Sequence, residues 1–144
     1  MLNIRFDPET LHRSKLGSIT GTFSLNMDRI RFPSASWSDF VVVIVGWWIE
    51  ALRSNDRTIQ LSFMDGPYYL RVSRQAGPEA LVECIESRGQ DLVKGSFRID
   101  ILELRQKVED VGIRILDACR ERHWESKDLG TLAQLLDHPT RGSL

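Results

Sequence analysis

The stretch Trp37–Leu52, WSDFVVVIVGWWIEAL, is the most apolar part of the chain and carries three of its four tryptophans. Its reading decides the fold. From Phe40 to Ile49 every residue is apolar or glycine, but Asp39 and Glu50 bracket the run, which leaves about half of the ~20 residues that a spanning helix needs. The Val-Val-Val-Ile-Val segment has strand propensity. Beyond it, however, apolar residues continue at helical spacing through Phe40, Val43, Ile44, Trp47 and Ala51, with Val41, Val45, Trp48 and Leu52 widening the stripe. The spacing predicts a helix. Ser36 or Ser38 is placed to cap it, Asp39 suits the positive end of its macrodipole, and Ser54–Asp56 stops it. A helix apolar around so much of its circumference requires cover on most sides, from a sheet and from another helix or a partner.

The flanking sequence supplies the sheet. Ile19, Gly21, Phe23 and Leu25 alternate with Ser18, Thr20, Thr22 and Ser24, and after an Asn-Met-Asp turn Ile30 and Phe32 face the same way until Pro33, so a hairpin is predicted. Beyond the helix, Ile59, Leu61 and Phe63 form one strand and Tyr68, Leu70 and Val72 another. Asp65-Gly66-Pro67 joins them, and Asp-Gly is among the strongest short hairpin signals. "ALVECIES" and "DLVKGSF" read as two further strands around Gly89, the second weakened by Gly95. Two helices follow. One carries Ile101, Leu104, Val108, Val111, Ile115 and Ala118, with Glu103/Lys107 and Asp110/Arg114 as i,i+4 pairs on its other side; the other runs from Lys127 to Asp137, with Ser126 as cap and Pro139 beyond.

The expected architecture is α+β: one domain over residues 1–144, an antiparallel sheet of about five to six strands, and two main helices and a short C-terminal helix packed on one face. Gly46 and Gly112 fall inside the main helices, where glycine costs about 1 kcal/mol relative to alanine, so each is expected at a close approach between the helices or to the sheet.

Composition narrows the function. A net charge of −1 without a basic cluster argues against nucleic acid and anionic lipid as partners. Two cysteines outside any CxxC pattern and an N-terminus without a basic-then-apolar leader point to a cytoplasmic protein with reduced thiols. Cys119 and His123 stand i,i+4, but zinc needs three or four ligands, and Cys84 and His138 would have to arrive from elsewhere; no metal is expected. Neither GxGxxG, GxxxxGK[ST] nor GxSxG occurs, and His12, His123 and His138 lie in polar contexts near the chain ends. Neither a cofactor nor a catalytic set is expected.

Two acids have aromatic neighbours: Asp39 beside Trp37 and Phe40, and Asp65 near Phe63, Tyr68 and Tyr69. Were the Asp-Gly hairpin to fold over the start of the first helix, Trp37, Asp39, Asp65 and Tyr68 would wall an acidic pocket. The plainer alternative is a helix-start carboxylate and a turn aspartate. The succession FPSASWSDFVVVIVGWWIEAL and then FMDGPYYLRV, Phe32 to Val72, resembles small bacterial proteins that include immunity proteins of polymorphic toxin systems. That resemblance implies a non-enzymatic protein that binds one toxin partner, and it carries no catalytic residues. The leading expectation is therefore a protein-binding module using Tyr69, Arg71 and Asp65, with a small-ligand binder or small enzyme at the acidic pocket as the alternative. Self-association through the Trp-rich helix is compatible with both.

Overall fold

The computed structural model describes residues 1–137. The apolar stretch forms helix α1, Val41–Arg53, and its three tryptophans have separate fates. Trp48 is fully buried, donates from Nε1 to the Ser62 carbonyl at 2.8 Å, and packs edge-on against Phe23 and Phe63. Trp47 is 46% exposed, and Trp37 lies before the helix. The start of α1 differs from expectation. Ser38 and Asp39 are extended as strand β4 (Ser38–Asp39), paired with Gly21 and Thr22, so Phe40 takes the N-cap position with no side-chain cap.

The single sheet expected from the sequence is two antiparallel four-stranded sheets. In the first, β1 (Asn3–Arg13) pairs with β2 (Ile19–Met27), which also pairs with β3 (Ile30–Phe32) and β4. The second runs β5 (Thr58–Ser62), β6 (Tyr68–Arg74), β7 (Glu79–Ser87), β8 (Asp91–Asp100) in meander order. β1 was not foreseen: Leu2, Ile4 and Phe6 are buried in alternation, but a bulge between Asp7 and His12, around Pro8, breaks the pattern. There Thr10 Oγ1 accepts the Thr22 N–H at 2.8 Å in place of a backbone carbonyl.

Helix α2 (Ile101–Glu121) follows β8 directly, Asp100 capping it by accepting the Leu102 N–H, and α3 (Lys127–Asp137) begins with Ser126 Oγ accepting from Leu129 N. Pro139 lies outside the described residues. Phe23 and Leu25, Ile59 and Leu61, Leu70 and Val72, Val82 and Cys84, and Phe97 and Ile99 join the buried faces of all three helices in one hydrophobic core. Arg114 makes no ion pair with Asp110; it stacks on Phe6 and donates to the Phe6 carbonyl at 2.9 Å, tying α2 to β1. Gly46 and Gly112 are both buried. A Cβ on Gly112 would stand 3.2 Å from Val45 Cγ1, so α1 and α2 meet there, whereas Gly46 faces α3, 3.8 Å from Leu135 Cδ1.

Candidate functional site

The six residues singled out from the sequence divide into two groups on opposite sides of the β5–β6 hairpin. Trp37, Asp39 and Tyr68 meet at its tip. The link between β5 and β6 is longer than a two-residue turn: the Phe63 N–H donates to the Tyr68 carbonyl, and Met64–Pro67 form a loop folded over the start of α1. Gly66 permits the fold, with φ of +75° and ring atoms of Tyr68 and Trp37 at 2.9–3.0 Å from where a Cβ would stand.

Asp39 is the fastening point. It is 1% exposed, and its carboxylate accepts N–H bonds from Trp37 Nε1 (2.9 Å), from Phe40 (2.7 Å) and from Asp65 (3.1 and 3.2 Å). Burial pushes the carboxyl above the ordinary aspartate range, against the pull of those three donors. The aromatic walls close on each other, Trp37 and Tyr68 packing edge to face at 5.1 Å. Asp65 contributes its backbone N–H, and its residue is exposed. The arrangement is a latch fastening the hairpin to the helix, and it fills the acidic pocket that the sequence suggested with the protein's own groups.

Tyr69 and Arg71 point the other way, onto the outer face of the β5–β8 sheet, as strand alternation requires. The Tyr69 hydroxyl donates to Asp91 Oδ2 at 2.9 Å, and Arg71 Nη2 donates to both the Tyr69 hydroxyl and Asp91 at 3.1 Å. Arg71 Nη1 also lies 3.5 Å from Glu83 across the β6–β7 pair. The Tyr69 hydroxyl foremost, then Ser87 and the Arg71 guanidinium, hold Asp91 below the ordinary carboxylate range; partial burial and the same carboxylate raise the Tyr69 phenol. Ile85, fully buried yet outside the main core, lies between Tyr69 and Val93 in the strand register, and Val93 is 52% exposed.

Sequence reading missed Asp91, Glu83, Ile85 and Val93. The signal available was the outward alternation of β7 and β8, which a bulge between Cys84 and Ile85 interrupts. Cys119 is buried within α2 while His123 is exposed beyond its end with φ of +58°, so the i,i+4 spacing does not place them on one helix face; His138 lies outside the described residues. No described helix is long and apolar enough to cross a membrane. Compared with protein-family models, curated proteins and solved structures, the chain matches none.

Proposed function

We propose that this chain is a non-enzymatic protein-binding module and that the outer face of the β5–β8 sheet is its contact surface. The observation that carries the reading is the ordering of Tyr69 and Arg71 by Asp91 and Glu83 beside the exposed Val93. Tyrosine and arginine are among the side chains enriched at interface hot spots, and side chains already fixed before binding lose less freedom on contact. A sheet face with a charged network beside an exposed valine suits a protein surface better than a small molecule, which needs a concavity. The likeness of Phe32–Val72 to immunity proteins supports the same class and names the partner kind, a bacterial toxin neutralised by occupation of its surface.

The test is quantitative binding to one purified partner captured at fixed stoichiometry, comparing the native chain with Tyr69→Ala, Arg71→Ala and Val93→Glu. Loss of about 2 kcal/mol or more at Tyr69 or Arg71 is expected of hot-spot positions. Full affinity in all three variants, with folding intact by circular dichroism, removes this face from consideration.

A further inference from the structure

At the same end of the β5–β8 sheet, on its inner side, a cleft of about 460 Å³ opens between β3 and the β7–β8 hairpin, lined by Arg29, Ile30, Arg31, Phe32, Pro33, Tyr68, Glu86 and Lys94. The half-buried Tyr68 presents its ring to the cleft, backed edge to face at 5.6 Å by the buried Phe32, with Ile30 and Pro33 beside it.

The charges around it are unbalanced. Three cations line the cleft against one carboxylate, Glu86, which already holds the Arg88 guanidinium at 2.5 Å and lies 3.8 Å from Lys94 Nζ. Arg29 has no hydrogen bond or ion pair among the described residues. Arg31 uses Nη1 on the carbonyls of Asp28 and Ile30, leaving Nε and Nη2 unpartnered among them. The exposed Asp28 sits in the adjoining turn and does not line the cleft.

Two features of the backbone shape this concavity. Cys84 pairs with Gly95 but Ile85 pairs with Val93, so Lys94 is the extra residue of a bulge, the device by which strands redirect a side chain. Gly95 receives Ile30, whose Cδ1 lies 2.9 Å from where a Cβ on residue 95 would be. A Cβ there would force the Ile30 side chain to shift. The glycine that weakens β8 as a strand is thus what lets Ile30 of β3 seat against it beside the cleft.

We infer that this cleft binds an anionic ligand with a flat apolar portion, its anionic group meeting Arg29, Arg31 and Lys94 and its ring resting on Tyr68 beside Ile30 and Pro33. Guanidinium groups with free N–H donors are suited to carboxylate or phosphate oxygens, and an aromatic floor orients a ring beside them. The inference stands apart from the protein-binding reading, which concerns the other face of the sheet.

The test is titration of the ¹⁵N-labelled chain with 1-naphthyl phosphate, with 1-naphthol and inorganic phosphate as controls, followed by amide shifts. Saturable shifts at Ile30, Phe32, Tyr68 and Lys94 are expected, with both controls binding at least about tenfold more weakly, since each removes one of the two contact types. Arg29→Ala/Arg31→Ala and, separately, Lys94→Ala, all exposed positions, should weaken naphthyl phosphate, the double variant by about tenfold or more. Absence of saturable shifts, shifts centred elsewhere, unchanged affinity in the folded variants, or either control binding as tightly as naphthyl phosphate overturns the assignment.

Discussion

Asn in place of Asp39 tests the latch with almost no change of shape. Both carboxylate oxygens accept N–H groups: Oδ1 from Phe40 and Asp65, Oδ2 from Trp37 Nε1 and Asp65. Whichever way an asparagine amide turns, its NH₂ faces a donor, so one or two charge-assisted bonds are lost, each worth about 1.5–3 kcal/mol, and a buried N–H is left unpaired. Against this, the variant no longer buries a charge, which returns part of the loss. The expected net effect at neutral pH is destabilisation by about 2 kcal/mol, read as a lower urea midpoint with unchanged m-value.

The pH dependence separates the two influences on Asp39. Because the folded-state pKa is raised, the native state holds this proton more tightly than the unfolded chain does. The resulting stability is fully present below the unfolded aspartate pKa and disappears as pH rises through the folded one. Relative to Asp39→Asn, which lacks the titration, the native chain should therefore gain stability on acidification across that window, and the gap between them should widen. A variant as stable as the native chain at neutral pH would refute the latch. A gap that narrows towards acid would show that the three N–H donors outweigh burial.

Gly46 and Gly112 give opposite expectations. Gly46→Ala meets only an ordinary contact with Leu135 and should stabilise by about 0.5–1 kcal/mol through backbone entropy. Gly112→Ala crowds Val45, Ile49 and Leu136 at 3.2–3.5 Å and should destabilise by about 1 kcal/mol net; thermal midpoints in the reverse order would refute the account of where the helices touch. Both thiols are buried, with Cys84 pushed up to about 12 by desolvation and Cys119 also raised. Native protein should then react with a disulfide reagent far more slowly than urea-unfolded protein, and equal rates would refute their burial.

Periodicity made much of this fold legible. It placed α1, α2, α3 and the hairpins because each depends on side chains a few positions apart. It could not say which hairpin edge pairs with which, and so two sheets were read as one. β4 has two residues and no period to detect; β1 loses its alternation at Asp7–Pro8, where a side-chain hydroxyl takes over the ladder. Gly95 illustrates the limit best. From sequence it argues against a strand, and only the arrival of Ile30 from 65 positions earlier in the chain explains why the strand keeps it.

The same limit governs the site. Asp39 and Asp65 were singled out as acids with aromatic neighbours, and folding does bring them together, yet proximity decides nothing about binding capacity. A carboxylate that already accepts Trp37, Phe40 and Asp65 N–H groups has little left to offer a ligand without breaking the latch that holds the hairpin. For a charged small ligand, capacity resides instead in groups that folding leaves unmatched, because an unpaired guanidinium near an apolar wall gains more from an anion than one already neutralised. By that criterion the chemistry of this end of the molecule reverses sign. The acidic pocket anticipated from Asp39 and Asp65 is closed, and the open concavity beside β3, with Arg29 and Arg31 left unmatched on its rim, favours an anion.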